Sequence, residues 1–97
     1  TNNNIEYARG ILTDEGFVIL KGSKIKDKIA NSLSPSLVKY AEKERNSQDI
    51  QNGIFIRNHL CSTPSMAAVI ILGRNSNGYN EWKNKEGRKL KEIIRED

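Results

Sequence analysis

Cysteine, histidine and tryptophan each occur once in this 97-residue chain, proline occurs twice, and aromatics make up only 6% of it. These scarcities exclude several classes of protein. The lone Cys61 has no partner for an internal disulfide, which separates the chain from disulfide-stapled secreted domains and makes a reduced, cytoplasmic setting the expectation. One imidazole, His59, with one thiol two positions away lacks the four ligands of a structural zinc site, so no metal and no cofactor is expected. No apolar run approaches the roughly 20 residues of a membrane-spanning helix, so no membrane partner is expected. The chain opens Thr-Asn-Asn-Asn, without methionine or a signal-like apolar stretch, the start expected of a piece cut from a longer protein. Its length suits one domain over residues 1–97, with a modest core and no room for a second module.

Material for acid–base or nucleophilic chemistry is equally short. Asp14 and Glu15 fall in a turn signal, and Glu42 and Glu44 on a charged helical stretch, so no carboxylate pair is placed by its spacing. Ser62 and Ser65 flank a helix start, where capping and the first turn account for them. The expectation is a domain without enzymatic activity.

What is present is charge and punctuation. Lys and Arg number 16 against 12 Asp and Glu, a net charge of +4. Lys21, Lys24, Lys26 and Lys28 cluster against Asp27 alone, and Arg74, Lys83, Lys85, Arg88, Lys89 and Lys91 outnumber Glu81 and Glu86 in the C-terminal third. If the two clusters share a face, the domain carries a basic patch; if not, they are an ordinary solvated surface.

Ile5, Tyr7 and Ile11 share one parity, and Phe17 to Leu20 follow the Thr13-Asp14-Glu15-Gly16 turn signal, which predicts an N-terminal β-hairpin ending near Lys21-Gly22-Ser23. Residues from Lys24 to Ser32 read as irregular. Ser34-Pro35 predicts a helix start, with Leu37, Tyr40 and Ala41 as its apolar stripe and a stop by Gly53. Ile54 to Leu60 then reads as a central strand. Thr63-Pro64 repeats the cap-plus-proline device before the uncharged run from Met66 to Leu72, a helix buried on most sides and ended by Gly73. Asn77-Gly78 predicts a tight turn. Glu81 to Lys83 and Arg88 to Leu90 predict a small C-terminal hairpin, with a last helical turn through Ile93 and Ile94. The fold expected is α+β: a small antiparallel sheet of N-terminal hairpin, central strand and C-terminal hairpin, with two main helices packed on one face.

Two blocks of this pattern, Gly16-Phe17-Val18-Ile19-Leu20-Lys21-Gly22-Ser23 and the stretch from Thr63 to Lys83 with its Ala67-Ala68, Leu72-Gly73-Arg74, Asn77-Gly78-Tyr79 and Glu81-Trp82-Lys83, resemble domain-of-unknown-function family 4357. That family is a module at the C-terminal end of bacterial proteins, GIY-YIG nuclease-like chains among them. Thr63 stands where the family usually has Ser, and Tyr79 where it often has Trp; the segment from Lys39 to Leu60 matches loosely. The second block is also faintly similar to the restriction-enzyme adenine-methylase-associated domain. Both resemblances imply a DNA-handling context. The GIY-YIG core itself is absent from the chain.

The surface that could act in that context is Lys21, Ser23, Lys24, Arg74, Asn75, Asn77, Tyr79, Trp82, Lys83 and Arg88: cations for phosphates, short polar groups for the sugar–phosphate backbone, aromatics for bases. Each also has a structural explanation, Trp82 and Tyr79 as core, Asn77 as a turn residue, Arg74 as a partner for helix-end carbonyls. The expected function is a non-catalytic accessory domain that binds nucleic acid, DNA first, and positions a catalytic domain of its parent chain. The alternative is a protein-interaction or oligomerisation module, for which the clue is the apolar run Val69, Ile70, Ile71 and Leu72.

Overall fold

The computed structural model describes residues 2–95, an α+β domain whose elements run β1 (Asn3–Ile5), β2 (Ala8–Thr13), β3 (Gly16–Ile19), α1 (Pro35–Arg45), β4 (Ile50–Gln51), β5 (Ile54–Phe55), β6 (His59–Cys61), α2 (Pro64–Leu72), α3 (Gly78–Glu81) and α4 (Leu90–Arg95). A four-stranded antiparallel sheet has the order β1-β2-β3-β6, and β4 with β5 forms a separate two-stranded ribbon. The expected N-terminal hairpin is there, but its first strand folds back on itself. Glu6, with φ of 44°, and Tyr7 make a two-residue turn that pairs Ile5 with Ala8, so Tyr7 is 77% exposed at a turn tip.

Register decides which residues meet the core, because side chains alternate across a strand and direct partners share a face. The face carrying Ile5, Ala8, Gly10, Phe17, Ile19, His59 and Cys61 is buried. The Phe17 ring lies over Gly10 in the space a Cβ would occupy. Helix α2 packs on this face, and its Ala67 and Ala68 leave room for the close approach. The Thr63 hydroxyl accepts from the Met66 N–H, Pro64 occupies the first turn, and Gly73 closes the helix in left-handed geometry at φ of 67°. Helix α1 flanks α2 on the same side of the sheet, with Ala41 against Val69 and Leu33 in a small second cluster. Its Arg45 donates to the carbonyls of Ile70 and Ile71, so it is this residue, not Arg74, that satisfies the C-terminal end of α2.

Four local expectations change. Gly53 is no helix stop, since α1 ends at Arg45; Asn52 and Gly53, with φ of 54° and 76°, form the tight turn of the β4–β5 ribbon. The stretch from Ile54 to Leu60 is two elements, β5 and β6, pairing with different partners. The other Asn-Gly pair is a helix cap, because Asn77 Oδ1 accepts from the Tyr79 N–H at 3.0 Å and starts α3. The C-terminal hairpin is reduced to single bridges, Lys83 with Lys89 and Lys83 with Asn4, the second of which attaches it to the β1 edge. Val69, Ile70, Ile71 and Leu72 are all buried, so the apolar run that favoured a docking module is spent inside the core.

Candidate nucleic-acid interface

The ten residues singled out from the sequence do not gather at one place. Trp82 is fully buried: its ring lies 4.5 Å from that of Phe17 and its indole N–H donates to the Pro64 carbonyl at 2.9 Å, so it is a core residue and no stacking platform. Ser23 is also buried, its hydroxyl accepting from the Arg9 N–H and donating to the Arg9 carbonyl, which removes it from any surface. Arg74 pairs with Glu81 across 3.4 Å and borders Asn75, Asn77 and Tyr79 at the α2–α3 junction. Lys21 and Lys24 follow β3, Lys24 donating its backbone N–H to the Tyr7 carbonyl beside the β1–β2 turn. Arg88 sits in the C-terminal loop, its N–H bonded to Asn84 Oδ1. Lys83 alone lies on the exposed face of the sheet.

The second family-like block is thus a packing device. Ser65 Oγ accepts from the Gly78 N–H at 2.9 Å, tying α3 to the first turn of α2, and a Cβ on Gly78 would collide with the Pro64 carbonyl. Asn77 starts the short helix, Glu81 holds Arg74, and Trp82 closes the core over Phe17. The family model for a domain of unknown function, DUF4357, matches residues 1–94. The chain belongs to the DUF4357 family. Comparison with curated proteins and with solved structures returned no match.

In this DUF4357 domain the sheet face turned away from α2 is where exposed chemistry collects. Asn4 pairs directly with Lys83, and each backbone N–H bonds the other's carbonyl. Lys83 pairs with Lys89 as a non-hydrogen-bonded pair, because the flanking bonds run from Asn84 N–H to the Arg88 carbonyl and from Leu90 N–H to the Trp82 carbonyl. On the other side Asn4 pairs with Arg9. Direct partners share a face, so Lys89, Lys83, Asn4 and Arg9 form one row across four paired segments. Non-hydrogen-bonded antiparallel pairs bring their Cα atoms to about 4.5 Å, closer than hydrogen-bonded pairs do. Among the described residues none of Arg9, Lys83 and Lys89 takes part in an ion pair. Two residues along the strands runs a second row, Ile11, Val18 and Leu60, with Leu60 50% exposed.

Of these rows the sequence reading captured Lys83 as a site residue. Arg9, Asn4 and Lys89 carry no local signal of the site because only the register joins them: in sequence Lys89 belongs to a basic cluster, and its place opposite Lys83 needs the bridge between them. Tyr7 has strand parity in the sequence, but it lies in the β1–β2 turn, an exposed aromatic two residues from Arg9.

A second cluster looks chemical and is structural. The His59 ring is buried with Nδ1 2.8 Å from Asp49 Oδ2 and Nε2 3.0 Å from Glu44 Oε1. Both contacts are hydrogen bonds when both ring nitrogens carry protons, since a carboxylate only accepts. The bond from His59 holds the Asp49 carboxyl below its ordinary pKa, and Arg57 at 3.5 Å adds to this. Burial, with Glu44 nearby, pushes the Cys61 thiol up to about 12, which leaves it a poor nucleophile. The cluster joins α1, the segment after it and β6, and no group of three metal-ligating side chains forms among the described residues.

Proposed function

We propose that this domain is a non-catalytic accessory module that binds nucleic acid, DNA first, through the open face of its sheet, and so positions a catalytic domain of the same parent chain. A GIY-YIG-type nuclease is the parent the sequence resemblance implies. The observation that carries the reading is the row of Lys89, Lys83 and Arg9, three cations on one sheet face without a carboxylate paired to any of them among the described residues. Like charges placed directly opposite each other on a sheet destabilise it, so the row is favourable when an anion lies across it. A polyanion with regularly spaced phosphates answers that need better than a single small anion.

The test is fluorescence anisotropy with a labelled DNA duplex across a salt series. Three neutralised phosphates give a log–log slope of about −2.7, and Lys83→Gln lowers its magnitude by about 1. Affinity without salt dependence, or an unchanged slope in the variant, would refute the phosphate row. Turnover of DNA by the domain with a divalent metal, abolished by a substitution within it, would refute the non-catalytic assignment.

A further inference from the structure

We propose that the strand held on this face is single: its phosphates follow Lys89, Lys83 and Arg9, and an unpaired base rests in the hollow beside Val18 and Leu60. The inference rests on the nucleic-acid reading above and adds the form of the ligand. Its basis is the adjacency of two unlike rows on one surface.

Arg9 and Ile11 are two residues apart on β2 and on the same face, which places the cationic and apolar rows about 7 Å from each other along the strand. Val18 and Leu60 continue the apolar row in direct register across β3 and β6. Beside them lies a hollow of about 370 Å³ bordered by Thr13, Glu15, Val18, Asn58 and Leu60, a volume within the range of small-ligand pockets. Val18 and Leu60 give it apolar lining; on its border the Thr13 hydroxyl is bonded within the β2–β3 turn, Asn58 Oδ1 accepts from the Lys21 N–H, and Glu15 contributes a carboxylate.

The ligand that complements this surface has a polyanionic edge and, within a few ångströms, flat apolar faces that are free to leave their neighbours. A single strand has both. A duplex offers phosphates outside and keeps its base faces stacked, so Ile11, Val18 and Leu60 would stay wet against it. Groove reading by a helix would need one on this face, whereas α2 packs on the opposite face of the sheet and α1 and α3 pack on α2. Single-stranded binding by a basic surface with base-contacting side chains tolerates any sequence, since every base has an apolar face.

The experiment compares binding of a labelled oligothymidylate, a duplex of equal length and heparin, a polyanion without bases, at one salt concentration. The variants are Leu60→Ser, Val18→Thr and Lys83→Gln. Leu60 is half exposed and Val18→Thr preserves shape, and thermal melting followed by circular dichroism checks that each variant is folded. The single strand binds more tightly than the duplex; Leu60→Ser weakens the single strand about fivefold, the loss expected for part of a leucine's apolar contact, and leaves duplex and heparin unchanged. Lys83→Gln weakens all three. The inference is overturned, with the phosphate row intact, if the duplex binds as tightly as the single strand or if Leu60→Ser has no selective effect. It is overturned as well if light scattering shows a dimer that Leu60→Ser dissociates without touching oligonucleotide affinity, which would make the row a contact between copies of the chain. Absence of binding to any nucleic acid at low salt removes the parent reading and this one together.

Discussion

The two faces of one small sheet follow opposite rules. Facing α2, Phe17, Ile19 and Cys61 are buried, Gly10 yields its side-chain space to a ring, and Trp82 and Leu90 arrive from the C-terminal segments to complete the core. On the opposite face the partners of those same strands are Arg9, Lys83 and Lys89, then Ile11, Val18 and Leu60. Adjacent residues thus have unrelated roles: Trp82 is core and Lys83 surface, Leu90 core and Lys89 surface. The inner face is arranged for density. The outer face puts two like charges opposite each other, which works against the stability of the free domain, and sets the half-exposed Leu60 beside Ile11 and Val18. This contrast is the physical reason to look for a ligand on the outer face.

The largest expected effect lies on the inner face. Trp82→Ala removes the ring packed on Phe17 and the indole hydrogen bond to the Pro64 carbonyl, and it costs about 3–5 kcal/mol, a large part of the total stability of a domain this size. Urea denaturation measures it. Trp82→Phe keeps a ring against Phe17 and loses the hydrogen bond, so its midpoint falls between the two. A Trp82→Ala variant as stable as the parent would break the comparison at its root.

Next comes the charged cluster at the edge of the core. His59→Ala removes the ring's hydrogen bonding to the Asp49 and Glu44 carboxylates and costs about 2–3 kcal/mol. Its pH dependence has a definite sign. Asp49 titrates below the carboxylate value of about 3.9 found in unfolded chains, so its contribution is complete above that pH and is lost as the pH falls through the lower folded value. The difference in stability between the parent and His59→Ala therefore narrows below about pH 4. A constant difference from pH 6 to pH 3 would mean that His59 stabilises by packing alone.

Much of the inner face could be read from the chain, and little of the outer one. Thr63-Pro64, the run from Met66 to Leu72 and Gly73 announce α2 because capping, burial and left-handed termination each leave a local mark. The two Asn-Gly pairs show where local marks end. Asn52-Gly53 closes a ribbon and Asn77-Gly78 opens a helix, and the difference is made by Ser65, which sits 13 residues from Gly78 in sequence and takes its N–H. The same holds for function. Trp82 and Ser23 carried interface chemistry on paper and are core in space, whereas Arg9 and Lys89 come together with Lys83 only through Asn4 and two isolated bridges. The His59 cluster was invisible for a related reason, since its three members come from β6, α1 and the segment between α1 and β4.

The smallest effect is the one that sharpens the comparison most. If Lys83 and Lys89 repel across their bridge, Lys83→Thr and Lys89→Thr each raise the stability of the free domain by a few tenths of a kcal/mol, and threonine's fit to a pleated surface adds to this. The repulsive part is isolated by a double-mutant cycle: the doubly substituted chain gains less than the two single gains combined, because the second substitution has no charge left to relieve. Ionic strength gives an independent check. At 1 M salt, with a screening length of about 3 Å, the coupling disappears, while the propensity gain persists. The opposite result, stability lost on either substitution or a coupling indifferent to salt, would make the two lysines stabilising members of the sheet. The outer face would then need no anion to account for its charge. A positive coupling paired with loss of oligonucleotide binding in the same variants would tie the strain in the free domain to the contact that relieves it.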